Sequence, residues 1–230
     1  MLMITFLRRF FRAGIKWNIS FLLLVIFTVF FIPFFPLHFH RELFNSSFTL
    51  IFLIGYLTSD RKHPFFIPVA VGAVILVWIA GFFKLPVLFF FSALLNVILF
   101  SLVVLSMITH LAGSASVTAR IIIESIITYL LVGLIYSMAV GLIDLYDPHA
   151  FSFPHASTTE LTYETHLSTY IYFTFVTLTT TGFGDMVPLE PYSRSLTTLI
   201  AITGQMYVAI IISILVGKYA TQARVEKSEE

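Results

Sequence analysis

The chain has 230 residues, 58% of them hydrophobic and only 11% charged, with a formal net charge of +1. That balance argues against a water-soluble globule and gives no electrostatic case for a nucleic-acid partner; apolar runs recurring along the whole length point to a polytopic membrane protein. There is no cysteine, which removes both a disulfide framework and a thiolate metal site.

Residues 1–16 carry Arg8, Arg9, Arg12 and Lys16 ahead of an apolar run. The run has no small-x-small cleavage site and ends in Phe31-Ile32-Pro33-Phe34-Phe35-Pro36, so the segment reads as a basic, aromatic, interfacial lead into a first span and not as a cleaved signal. Taking apolar runs of about 20 residues as spans, the pattern predicts helices near 17–36, 44–58, 64–83, 86–110, 119–143 and 193–219. The tight Lys84-Leu85-Pro86 turn separates the third from the fourth. The expected fold is therefore all-α with six transmembrane helices: a four-helix region 17–110, a linker 111–118, a second region 119–219 and a short tail 220–230.

Charge placement orients these spans. Arg8, Arg9, Arg12 and Lys16 precede the first, Arg61 and Lys62 follow the second, Arg120 follows the fourth, and Lys218, Arg224 and Lys227 close the last. Six spans put all of these on one side, which the positive-inside rule assigns to the cytoplasm. Both termini are then cytoplasmic in a multi-pass protein of the plasma membrane, with Arg41, Lys84 and the loop 144–192 outside.

Several features limit the chemistry. Between Pro86 and Thr109 there is no Lys or Arg, so the fourth span lacks the charges that would couple it strongly to voltage. Asn96 in that span is expected to hydrogen-bond a neighbouring helix. Arg120 and Glu124, one turn apart, form either a snorkelling anchor at the membrane surface or a pair tying the linker 111–118 to the last span near Lys218. Coupled transport ordinarily leaves ionisable groups inside the spans, and the polar side chains at depth are the neutral Asn96 and Gln205. Ser, His and Asp fall in loops without nucleophile or metal spacing, so no enzyme and no cofactor are expected. His149, His155 and His166 with Glu160 and Glu164 form a candidate proton or divalent-cation site in the outer loop.

One stretch stands apart: Thr177-Leu178-Thr179-Thr180-Thr181-Gly182-Phe183-Gly184-Asp185, between that polar loop and the last span. Non-helical backbone at membrane depth is tolerated only where protein buries it or it lines a water-filled cavity. Rings of backbone carbonyls can replace the water shell of an ion. Aligning successive carbonyls needs conformations that side chains resist and glycine accepts, which accounts for Gly182 and Gly184. The hydroxyl of Thr180 can add an oxygen at the inner end, while Thr181 and Phe183 are expected to point back into the supporting wall.

Tyr172-Phe173-Thr174-Phe175-Val176 followed by that stretch, and then by a span containing Gly204, resembles the pore module of the tetrameric potassium-channel superfamily. Thr180-Thr181-Gly182-Phe183-Gly184 departs from TVGYG at Thr181 and Phe183. The resemblance implies a bacterial-type six-span member with one pore loop and without voltage-sensor arginines. It implies an outer helix at 119–143, an extracellular turret at 144–167, a re-entrant pore helix at 168–179, a selectivity filter at 180–184 and an inner helix at 193–219. One filter copy per chain implies a homotetramer in the lipid bilayer. K+ is then the permeant ion, held by Thr180, Thr181, Gly182 and Phe183, with Gly184 completing the filter. Thr177 and Thr179 are placed to bond filter backbone, and Tyr172 to bond Asp185. Tyr170, Tyr172, Phe173 and Phe175 suit an aromatic cuff, or serve as ordinary membrane packing. Gly204 is a gating hinge or a close-packing contact; Gln205 faces the cavity or braces a neighbour. The expected function is a passive K+-selective channel, weakly voltage-dependent. The alternatives are a less selective monovalent cation channel and a regulatory channel subunit.

Overall fold

Proline and polar residues punctuate the chain where its helices begin and end. The computed structural model describes residues 15–58, 72, 75–76, 79, 83, 86–114, 117–153 and 163–229. Helix α1 (Ile15–Ile26) runs into a π-helical stretch (Phe27–Phe31) and a 3-10 turn (Ile32–Phe34). Phe35 is extended, at φ −82° and ψ 156°, as a residue before proline must be, and Pro36 ends the rod there. Helix α2 (Leu37–Thr58) follows at once, then α3 (Pro86–Gly113), α4 (Ala119–Tyr146), α5 (Tyr163–Leu178) and α6 (Pro191–Glu229). Pro86 and Pro191 occupy first helical positions, where a missing N–H costs nothing. Thr118 caps α4 by accepting from the Ile121 amide.

Four described helical segments, Trp17–Phe34, Phe90–Gly113, Ala119–Tyr146 and Pro191–Ala220, are long and apolar enough to cross a bilayer. The chain is a helical membrane protein. Helix α2 has 22 residues, or about 33 Å at ~1.5 Å per residue, but opens with His38, His40, Arg41 and Glu42 and is not among those four. The run expected at 64–83 and the Lys84-Leu85 turn lie almost wholly outside the described residues, as do residues 1–14 with their arginines, and Arg61 and Lys62.

Several boundaries differ from the sequence expectation. Helix α2 begins at Leu37 and not near 44, because polar residues of its first turns remain helical once Pro36 has reset the chain direction. The linker expected at 111–118 is partly helical, since α3 reaches Gly113. Helix α4 extends to Tyr146, α5 starts at Tyr163 and ends at Leu178, and α6 carries the expected tail 220–230 onward as helix to Glu229. No proline or glycine interrupts residues 218–230, so nothing local stops the helix.

Helix α4 is the structural centre: it packs against α1, α3, α5 and α6, while α2 leans on α5. A core of Phe21, Val25, Phe44, Ile127, Leu131, Leu134 and Leu178 joins the two halves. Of the α4 segment 61% is buried, against 11% of the α6 segment. A two-stranded antiparallel ribbon, β1 (Phe151–Ser152) with β2 (Val187–Pro188), pairs Phe151 with Pro188 and ties the chain after α4 to the loop before α6.

Glu124 is turned inward and only 8% exposed, which removes the snorkelling reading. Its Oε1 accepts from Asn18 Nδ2 of α1 at 2.9 Å and from Arg120 Nε at 2.7 Å. Its Oε2 lies 3.3 Å from His110 Nδ1 of α3. The carboxylate therefore binds three helices at one point. Nearby, Lys218 Nζ of α6 donates to the Leu111 and Ala112 carbonyls and to Ser114 Oγ at 3.0–3.1 Å, capping the end of α3. Lys218 thus makes directly the link to the linker that the pair was expected to make.

Replacing Glu124 by alanine strands the Asn18 amide, itself only 3% exposed, and removes one ion-pair partner of Arg120. The expected loss is about 2 kcal/mol, discounted because Arg120 is partly exposed. Thermal unfolding in detergent checks it: Glu124→Ala should cost clearly more than Arg120→Ala, and equal losses would return Glu124 to a surface anchor.

Candidate functional site

Helix α5 stops at Leu178 and the chain turns away in a non-helical strand, Thr179 to Met186. Backbone sign alternates along it: Thr180 (φ 58°), Gly182 (φ 56°) and Gly184 (φ 79°) are left-handed, whereas Thr181 and Phe183 are not. Alternating handedness turns each peptide plane back towards the orientation of its predecessor but one, the arrangement a row of like-facing carbonyls requires. Two of the three positions are glycine, which enters that region freely. Thr180 is β-branched, so its left-handed backbone is a true outlier, and sequence reasoning assigned no such conformation to it.

The strand is moored to the end of α5. The Thr180 amide donates to Thr177 O (2.9 Å), and the Thr181 and Gly182 amides both donate to Val176 O (2.9 and 3.3 Å). Thr179 was expected to bond filter backbone. Its hydroxyl instead donates to Phe175 O at 2.7 Å within α5 and meets Thr181 Oγ1 at 3.0 Å, because a threonine at a helix end reaches the carbonyl one turn back more easily. Thr177 contributes its carbonyl to the Thr180 amide. Thr181 is directed towards α5, whereas Phe183 is 69% exposed on the single chain.

Tyr172 and Asp185 are brought together as expected, the phenol donating to Oδ2 at 2.8 Å. The carboxylate beside it holds the Tyr172 hydroxyl above its ordinary range, with lesser contributions from burial and from the Asp185 charge. Replacing Tyr172 by phenylalanine removes this brace from an exposed pair, so little stability, within about 1 kcal/mol, is expected to be lost. Thermal unfolding in detergent checks it: Tyr172→Phe should melt within a few degrees of wild type, and a larger loss would make the pair a structural brace.

Behind the strand, Tyr170 and Phe173 are buried, and their rings join Phe151 and Phe153 in one aromatic cluster. Tyr170 also donates to Asp144 Oδ2 at 2.6 Å. Phe175 lies over Gly133 of α4, where any Cβ would come within 2.4 Å of its ring. The chain just after α4 is anchored by Tyr192, whose hydroxyl bonds Asp147, and by Ser193, which donates to Ala150 O at 2.6 Å. Tyr192 and then the His149 amide hold the Asp147 carboxyl below its ordinary range. His149 and His166 are placed apart from any metal-type group among the described residues; His155 and Glu160 lie outside them.

Gly204 of α6 meets the end of α5: a Cβ there would stand 1.9 Å from Leu178 O. This is a contact glycine. Next to it, Gln205 Nε2 donates to Thr180 Oγ1 at 3.1 Å. Two further bonds, Tyr136 with Thr203 (2.8 Å) and Tyr207 to Ser125 O (2.7 Å), hold α6 to α4. Asn96 donates to Ser92 O of its own helix at 2.8 Å.

Sequence reasoning missed the Asn18–Glu124–His110 hub, the Lys218 cap and the tyrosine clasps. Only Asn18, an amide within an apolar run, carried a signal that could have been read. No curated protein matches the chain at a significant level. A family model described as ion channel matches residues 121–220, so the part of this membrane protein from α4 through the strand to Ala220 is similar to ion channels.

Proposed function

We propose that four copies of this chain form a K+-selective channel, conducting passively through Thr180, Thr181, Gly182, Phe183 and Gly184. The observation that carries this reading is the alternating backbone at 180, 182 and 184, suspended from the end of a short helix. Such backbone at membrane depth is tolerated only where protein buries it or it lines a water-filled cavity, and residues 180–184 are exposed on the chain. The C-terminal end of α5 adds a partial negative charge beside the strand, favourable to a cation.

Assembly is supported by exposure. Helix α6 presents Leu199, Ile202, Met206, Ile210 and Val216 outward from the chain that buries α4. The filter strand is likewise open on one side. Four copies around an axis close both surfaces, whereas a lone chain leaves the strand without a facing wall. We read the topology as six spans with both termini cytoplasmic, and the absence of Lys and Arg between Pro86 and Thr109 as weak voltage dependence.

Purified protein in K+-loaded liposomes tests this. The expected result is K+ efflux without a Na+ or proton gradient and little Na+ flux under the reverse loading. A reversal potential that follows Na+ as closely as K+ would shift the reading to a less selective cation channel. Absence of any flux from reconstituted tetramers would favour a regulatory subunit.

A further inference from the structure

Thr180 is the most constrained residue of the strand. Its left-handed backbone carries a β-branched side chain, a conformation that persists only where the surroundings over-determine it. Its amide is held by Thr177 O (2.9 Å), and its hydroxyl donates to Thr179 O (2.7 Å). The third hold comes from another element, the amide of Gln205 on α6, which donates to the same hydroxyl at 3.1 Å.

A hydroxyl has one proton and two lone pairs. Here the proton is committed to Thr179 O and one lone pair to Gln205 Nε2, which leaves one lone pair in a defined direction. A freely turning hydroxyl would spread that acceptor over several orientations. The close approach that permits the Gln205 bond is supplied by Gly204, whose missing side chain lets α6 touch Leu178 O.

We propose that Gln205 is a positioning residue for the innermost cation site: it orients the Thr180 hydroxyl so that its remaining lone pair faces a dehydrated, K+-sized ion. The inference rests on the channel reading above. It assigns Gln205 to ion binding at the filter and not to helix packing, and it makes the inner site dependent on a residue outside the filter strand.

Barium, a divalent ion of nearly K+ size, probes the site from the cytoplasmic side in planar-bilayer recordings of the reconstituted full chain. Gln205→Met, of similar length but without the amide, should raise the half-blocking barium concentration about tenfold, the equivalent of losing one hydrogen bond. Gln205→Asn, a methylene too short to reach, should behave the same way and serves if the methionine variant does not assemble. In a Thr180→Ala background the same Gln205 change should have no further effect, since the two residues act as one unit. Unchanged barium block in the single variants, or an equal shift in both backgrounds, overturns the proposal while leaving a K+-selective wild type intact. A wild type that passes no K+ overturns the channel reading and the inference together.

Discussion

Gly204→Ala is expected to destabilise the protein by about 3 kcal/mol or more, because the added carbon has no room and the atom it meets cannot swing aside. The built Cβ lies 1.9 Å from Leu178 O and 2.8 Å from Leu178 C, both backbone. Either α6 must shift away from α5 or α5 must unwind its last turn, and each movement disturbs the strand moored to that turn. Gly217→Ala on the same helix meets nothing within 4 Å, so it should be neutral or stabilising by up to about 1 kcal/mol from helix propensity. Thermal unfolding in detergent and the yield of assembled oligomer measure both. A Gly204→Ala protein with wild-type stability and assembly, altered only in opening, would show a hinge and not a contact.

Gly182→Ala separates conduction from folding. Nothing lies within 4 Å of the position a Cβ would take, so the cost is conformational: an alanine held left-handed at φ 56° is penalised by roughly 1–2 kcal/mol. In the proposed ring of four chains the penalty recurs at every copy, about 4–8 kcal/mol in all. The backbone is expected to relax towards negative φ and rotate its carbonyls off the axis. On the proposed channel reading, assembled Gly182→Ala protein should therefore elute like wild type, unfold a few degrees earlier and lose K+-selective flux by far more than tenfold. Retained selective flux would mean that the strand does not coordinate the ion through a left-handed backbone at this position.

Both outcomes depend on features of different legibility. Gly182 and Gly184 announce themselves in the sequence, because few roles other than a left-handed backbone require two glycines one residue apart beside threonines. The apolar runs around residues 17–36, 86–110, 119–143 and 193–219 were likewise legible, since burial in lipid demands length and composition that nothing else in a chain supplies. The pairing of Tyr172 with Asp185 followed from resemblance and is present at 2.8 Å. Gly204 reads as hinge or contact from the sequence, and the distance to Leu178 O shows that a contact is made there.

What stayed hidden involves residues far apart in the chain. Asn18 reaches Glu124 across 106 positions, Lys218 reaches Ser114 across 104, and Ser193 reaches Ala150 across 43. A polar side chain carries no mark of which distant partner satisfies it, so Glu124 stays open between a surface anchor and a tie to the linker until the packing of α1 and α3 on α4 encloses it. The left-handed Thr180 is hidden for the same reason: a β-branched residue adopts that backbone only when neighbours over-determine it, and one of those neighbours, Gln205, arrives on another helix. By itself, then, the sequence determined a helical membrane protein with a glycine-alternating strand ahead of its last span, because lipid and left-handed backbone each restrict residue choice locally. Which polar groups meet across helices follows from the packing of the folded chain, because hydrogen-bond partners are selected by proximity in space and not by neighbours in the chain.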